Sequence, residues 1–322
     1  MKIDVISAET VQNSISMTRA IELMRDAYLA LTRKEVDVPL RTTLVNENGT
    51  VLYKPAYSDS EKIFCAKIVS VFPGNASQGL AVCPGVIIVN SAETGMPVAM
   101  VEAGYLTALR TGAGTGVATD LLSARDAKIA ALFGTGGQAR HQLEAMLAVR
   151  DLETVFVFSK KSENARRFCE ENRDLVGNCQ LVADPDRAEL KRCEVITTAT
   201  TSPTAVFSDE EISANCHINA IGALGKDRTE LSHQTLLGSR IFVDERKACL
   251  AEAGEICLMR KAGLLPEDFR VKEIGELLAS GHTPPVSKTE RTIFISVGNA
   301  IQDLVCVAEL LRTSKPTQTF QI

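Results

Sequence analysis

The chain has 322 residues, 45% of them apolar and 23% charged, and a formal net charge of −5. That length suggests roughly two domains, and the mild acidity offers no electrostatic case for nucleic acid or a membrane surface as a partner. Nine cysteines, scattered and never spaced CxxC, fit incidental thiols in a reducing cytosol and, with no matching histidine spacing, argue against a metal site.

The N-terminus lacks the apolar core of a signal peptide, and no apolar run is long enough to span a bilayer, so a soluble cytoplasmic protein is expected. Ser16–Thr32 repeats apolar residues at helical spacing (Met17, Ile21, Met24, Ala27, Tyr28, Leu31), which predicts a helix with one buried face. Residues 40–101 mix alternation with turn signals at Asn48-Gly49, Pro73-Gly74-Asn75 and Glu93-Thr94-Gly95, a mainly antiparallel sheet region. Residues 103–124 carry a glycine cluster, Gly112-Ala113-Gly114-Thr115-Gly116. No apolar strand runs into it, so it reads as a helix whose small side chains permit close packing rather than as a phosphate loop. Each such glycine costs roughly 1 kcal/mol of helix stability relative to alanine.

Lys128–Lys161 is the most informative stretch. An apolar run, Ile129–Phe133, breaks into Gly134-Thr135-Gly136-Gly137-Gln138-Ala139. A helical pattern follows, then a second apolar run, Thr154–Phe158. Strand, glycine turn, helix and strand at this spacing form a dinucleotide-binding unit. Gly134 permits the turn, Gly136 lets backbone N–H groups approach a pyrophosphate, and Ala139 lets the helix pack close. The helix N-terminus offers its dipole to the anion. Strands and helices then alternate to about residue 281, with helices expected through Lys247–Ser280. A last strand at Arg291–Ser296 and a helix at Asn299–Thr313 are expected to return to the first domain. The fold class is therefore α/β: a Rossmann-type doubly wound parallel sheet domain, residues 117–296, plus a discontinuous α+β domain, residues 1–116 and 297–322.

An Asp or Glu about 20 residues past the glycines would bind the ribose hydroxyl of NAD. This chain has Ser159-Lys160-Lys161-Ser162 there, which would attract a 2′-phosphate, so NADP(H) is expected in preference to NAD(H). Solvated lysines at a turn are the bland alternative. Three cations elsewhere stand in apolar or strand-like surroundings: Arg41, Lys67 and Arg110. Singly, each could be a surface charge or a structural ion pair. Together, beside a nicotinamide, they would suit a carboxylate substrate.

KIVSVFPGN (67–75), ETGMPVAMVE (93–102), LTALRTGAGTGVAT (106–119), FGTGGQARHQ (133–142), INAIGALGKDRTEL (218–231), VDERKACLAEAGEI (243–256) and FISVGNAIQDL (294–304) together resemble the ornithine cyclodeaminase/mu-crystallin family, in its order and over nearly the whole chain. The resemblance implies a two-domain architecture that dimerises through the N-terminal domain, hence a homodimer with a small α-imino or amino acid substrate. It implies that Arg41, Lys67 and Arg110 bind the substrate carboxylate, with Lys67 and Arg110 catalytic and Val297 also touching substrate. Its implied cofactor contacts are Arg110, Thr111, Gly134, Gly136, Gly137, Gln138, Ser159, Lys160, Lys161, Thr198, Ala220, Ile221, Gly222, Ser296, Val297 and Gly298. Two departures stand out. Where cyclodeaminases carry a catalytic Asp this chain reads Gly222-Ala223-Leu224, with Asp227 able to substitute only if the loop shifts, and Val82 stands where they have Thr. Both point away from the lyase. The expected activity is NAD(P)H-dependent reduction of a cyclic α-imino acid, Δ1-pyrroline-2-carboxylate to L-proline first, with Lys67 or a bound water as the proton shuttle. The alternatives are an alanine dehydrogenase-like enzyme, ornithine cyclodeaminase, or a non-catalytic NADPH-binding crystallin-like protein.

Overall fold

A computed structural model of the chain describes residues 2–223, 225–265, 269–281 and 290–321. Leu224, singled out above, lies outside the described residues, as do 266–268 within the expected helical stretch. The N-terminal part runs β1 (Lys2–Ile6), α1 (Ala8–Ser14), α2 (Met17–Thr32), β2 (Val36–Asp37), β3 (Thr42–Val45), β4 (Thr50–Ser58), β5 (Ile63–Val71), β6 (Gly85–Ser91), β7 (Pro97–Glu102) and α3 (Ala103–Leu122). Alternation sets the faces of this sheet. Leu52, Lys54, Ala56 and Ser58 of β4 are buried, and so are Ile63, Cys65, Lys67 and Val69 of β5. β4 pairs antiparallel with β5 so that Lys54 stands directly opposite Lys67.

Compact packing divides the chain at Arg110/Thr111 and at Gly298/Asn299. The expected borders were 116/117 and 296/297. The first division falls inside α3, which is one continuous helix and so carries no local sequence signal of a boundary.

The second unit comprises β8 (Ile129–Phe133), α4 (Ala139–Val149), β9 (Thr154–Phe158), α5 (Ser162–Glu171), β10 (Gln180–Ala183), β11 (Val195–Thr198), β12 (His217–Ala220), α6 (His233–Leu237), β13 (Ser239–Val243), α7 (Arg246–Glu252), α8 (Gly254–Lys261), β14 (Lys272–Glu273), α9 (Ile274–Ser280) and β15 (Arg291–Ile295). Its sheet has the order β10-β9-β8-β11-β12-β15-β13-β14, parallel throughout. Strand order reverses beside β8, which is the doubly wound arrangement. Both faces are covered: Phe133, Phe158, Ile196 and Ile218 pack on one side, and Leu132, Leu143, Met146 and Val155 on the other. Each fully buried side chain of this kind contributes about 1.5–3 kcal/mol. Within this unit a Cβ at Gly112 would strike the backbone carbonyl of His141, so the second glycine cluster serves close helix packing.

The chain then returns to the first unit with α10 (Ala300–Thr313) and β16 (Gln318–Gln321). α10 packs on α2, β4 and β5, and β16 pairs antiparallel with β1. The first sheet has the order β16-β1-β7-β6-β5-β4-β2, with β3 also on β4. It is antiparallel apart from the parallel pair β1–β7. No described helix is long and apolar enough to cross a membrane.

Candidate active site

In the first unit the strand phase that buries apolar residues also buries Lys67, which is 1% exposed. Its Nζ donates to Asp303 Oδ1 at 2.8 Å and to Thr107 Oγ1 at 3.0 Å. Arg110, on α3, donates from Nε to the same carboxylate oxygen at 3.0 Å and from Nη1 to Gln302 Oε1 at 2.6 Å. Gln302 in turn donates to the Tyr28 hydroxyl at 2.8 Å, which fixes its amide. Arg41 lies half-buried in the segment before β3.

The electrostatics tie these groups together. Burial lowers the Lys67 pKa to about 8, with the positive charges of Arg110 and Arg41 adding to the effect and Asp303 opposing it. Lys54, also buried, is pushed well below the usual lysine value by desolvation and then by Lys67, Arg41 and Arg110. Burial favours protonation of Asp303, but Arg110, Lys67 and Lys54 outweigh it and hold the carboxyl below its ordinary value. Lys67 therefore keeps its proton less firmly than in water although a carboxylate lies 2.8 Å away. A further anion brought to this cluster relieves that like-charge crowding. The sequence reading brought three of these cations forward and missed Lys54, Asp303 and Gln302. Lys54 could have been found from its phase, two residues after Leu52 on the buried side of β4. Asp303 could have been found as an acid inside the apolar run Ile301–Ala308.

In the second unit, Gly134 has φ +104°, and a Cβ there would strike the Ala199 carbonyl. Both observations require glycine. Gly136 and Gly137 open on free space, and Ala139 is fully buried against the sheet. Gln138 precedes α4 without making a side-chain cap, and the Ala139 N–H that opens the helix donates to the Gly136 carbonyl at 3.0 Å. The Gln138 Oε1 is buried with no hydrogen-bond partner. Ser159 contacts the Thr135 hydroxyl at 3.3 Å, Lys160 and Lys161 are exposed at the end of β9, and the Ser162 hydroxyl donates to Asp184. These features fit a dinucleotide.

Two buried carboxylates that the sequence reading did not anticipate organise the remaining expected contacts. Glu230 accepts from Thr198 Oγ1 and from the backbone N–H of Gly222, which follows Ala220 and Ile221 beyond β12. Asp244 accepts from Ser296 Oγ and from the N–H of Gly298, both at 2.7 Å, and so braces the strip around Val297. Thr111 begins the second unit within α3. The expected residues thus fall into two sets. Arg41, Lys67 and Arg110 gather in the first unit, and the glycine turn, the end of β9, and the segments after β11, β12 and β15 belong to the second.

Comparison with known proteins bears on the family of the chain. A family model described as the ornithine cyclodeaminase/mu-crystallin family matches residues 1–315. A Δ1-pyrroline-2-carboxylate reductase of Bacillus cereus is 32% identical over 305 residues, covering 94% of this chain and 93% of that protein. The Thermococcus litoralis Δ1-pyrroline-2-carboxylate reductase, solved with NADH and L-proline, superposes with a TM-score of 0.92 at 33% identity, covering 98% of this chain and 100% of that one. An archaeal alanine dehydrogenase dimer with bound NAD superposes with a TM-score of 0.90 at 30% identity, with 100% of each chain covered.

Proposed function

The chain belongs to the ornithine cyclodeaminase/mu-crystallin family, and from that membership we infer that it is an NAD(P)-dependent oxidoreductase acting on C=N bonds. Its substrate is a small cyclic α-imino acid, with Δ1-pyrroline-2-carboxylate to L-proline as the leading case. The observation that carries this reading is Lys67: a fully buried ammonium, crowded by other cations despite its own carboxylate partner, beside Arg110. A compact carboxylate answers that need. Relatives carrying the reductase activity in their names cover almost the whole chain.

In this mechanism Arg110 and Arg41 hold the substrate carboxylate and Lys67 secures it from the β5 side. Orientation of this kind can lower a barrier by several kcal/mol. The dinucleotide, when bound, supplies the hydride. The N–H groups after Gly136 and Gly137, Gln138, and the segments at Thr198, Ala220–Gly222 and Ser296–Gly298 would hold it. A cyclic imine can enter already protonated. An imine that enters neutral needs one proton, which Lys67, held between the Asp303 carboxylate and the Thr107 hydroxyl, can donate from Nζ. The test is NADPH and NADH oxidation with a panel of cyclic ketimines and with α-keto acids plus ammonia. Folded protein inactive on the whole panel refutes the reading. Turnover of pyruvate that requires free ammonia would instead support an alanine dehydrogenase, which the second solved structure keeps in view.

We assign NADP(H) as the preferred cofactor from Lys160 and Lys161, since the segment that ends β9 carries two ammonium groups, with the Asp184 carboxylate occupied by the Ser162 hydroxyl. The double variant Lys160→Ala/Lys161→Ala should raise KM for NADPH about tenfold, the scale of losing a charge-assisted contact, and leave KM for NADH unchanged. An equal change for both cofactors would remove the assignment.

A homodimer is the proposed assembly. The open face of the first sheet exposes Tyr53, Phe64 and Phe320, with Tyr57 stacked on Phe64 at 4.4 Å. Apolar patches of this kind mark association surfaces. Phe64→Glu should convert the dimer to monomer by light scattering, and a wild-type chain that is monomeric at micromolar concentration would discard the proposal.

A further inference from the structure

Glu230 is fully buried and comes from the loop that follows β12, yet its carboxylate reaches back to the ends of two strands. One oxygen accepts from the backbone N–H of Thr200 at 2.6 Å, just beyond β11. The other accepts from Thr198 Oγ1 at 2.8 Å and from the Gly222 N–H at 2.7 Å, just beyond β12. The two backbone N–H groups can only donate, one to each carboxylate oxygen, a demand that an acceptor-only group meets on both sides. An ionised carboxylate has four lone-pair sites and no hydrogen, whereas an amide would turn a donor towards a donor. The fit is tight. A Cβ at Gly222 would collide with the Thr200 carbonyl and sit 2.6 Å from Glu230 Oε1. A second carboxyl supports the first: Glu255, in the opening turn of α8, accepts from the Glu230 N–H at 3.2 Å. Burial raises the Glu255 pKa to about 8, so near neutral pH it braces Glu230 largely as an uncharged acid.

The position of this knot gives it a function. Gly134 after β8, Thr200 after β11 and Gly222 after β12 all lie at the carboxyl ends of neighbouring parallel strands, and the Gly134 turn abuts Ala199 directly. Ligands of open parallel sheets bind at that edge, where strand order reverses. On the cofactor reading, the glycine turn and the end of β9 would receive the adenine half, which leaves the ends of β11 and β12 for the nicotinamide half.

We propose that Glu230 is a positioning residue for the nicotinamide half of the dinucleotide, locking the ends of β11 and β12 into one backbone surface against which that half docks. The proposal rests on the cofactor reading given above and is separable from it by experiment. Binding of NADPH and of its adenine-half fragment 2′,5′-ADP, and likewise of NADH and ADP, is measured by titration calorimetry for wild type, Glu230→Gln and Thr198→Val. Glu230→Gln should weaken the intact dinucleotide about tenfold, the scale of a lost charge-assisted hydrogen bond, while the fragment binds as it does to wild type. Thr198→Val removes one donor and leaves the two backbone bonds. It should show the same asymmetry at roughly threefold, and it carries the test if Glu230→Gln does not fold. Equal weakening of fragment and dinucleotide, or no weakening of either, overturns the proposal by reducing Glu230 to general structural support. A folded wild-type chain that binds no nucleotide overturns the cofactor reading itself and this proposal with it.

Discussion

Replacing Lys67 with methionine should lower kcat/KM for a cyclic imino acid by about two to four orders of magnitude, the range for loss of a positioned acid–base group, while the protein stays folded. The fold survives because Asp303 keeps its contact with Arg110 at 3.0 Å and methionine matches the buried stem of the lysine. Steady-state kinetics with a thermal melt alongside checks both halves. An enzyme that loses less than a factor of ten would remove Lys67 from the site. The wild-type pH profile carries a matching signature. Lys67 has its folded pKa lowered to about 8 from an ordinary 10.5. Below pH 8 the buried ammonium is charged and costs stability. Between 8 and 10.5 the unfolded chain binds the extra proton, so stability from this group rises with pH across that window. Substrate capture moves the other way, because a neutral amine cannot hold a carboxylate. kcat/KM should therefore fall above pH 8 while Tm does not fall with it.

Asp303→Asn should produce the largest loss of stability of any conservative change in the first unit. It removes the carboxylate that couples to Lys67, Arg110 and Lys54, and breaking one partner out of a buried ionic cluster costs about 3–5 kcal/mol. In a protein of this size that lowers Tm by roughly 10 °C. The double variant Lys67→Met/Asp303→Asn should regain part of the loss, since it removes a cation along with the carboxylate. The folded pKa of Asp303 lies below its usual value despite burial, owing to Arg110, Lys67 and Lys54. Its contribution is thus present above the ordinary carboxyl range and disappears as pH falls through the folded value. A single variant as stable as wild type by calorimetry would show that the cluster does not depend on its anion.

The dinucleotide unit was legible because its signals are local. The turn at Gly134 needs a positive φ, the strands on either side are continuous apolar runs, and each βα step fits within a short window of sequence. β1 and α1 were not legible, and neither was β16. The partners of β1 are β7 and β16, the latter pairing Lys2 with Gln321 across almost the whole chain, and nothing near Lys2 announces either. At the site, Lys67 and Arg110 stood out as charges in apolar settings. Lys54 belongs to the same class and was passed over because Tyr53 and Pro55 beside it read as ordinary surface positions of an alternating strand. Asp303 was hidden by the periodicity that identified its helix. Glu230 and Asp244 had no sequence signal at all, since each acts on strand ends that only the folded sheet brings within reach.

The cation cluster has a practical corollary for work at the bench. If Lys67, Arg110 and Arg41 hold the substrate carboxylate as proposed, chloride, phosphate or sulfate from the buffer would compete for the same cations. Turnover measured in an anion-rich medium then reflects occupancy of the site by salt as well as the chemistry of the imine. The identity of the counter-ion, and not ionic strength alone, becomes a variable of every assay on this protein.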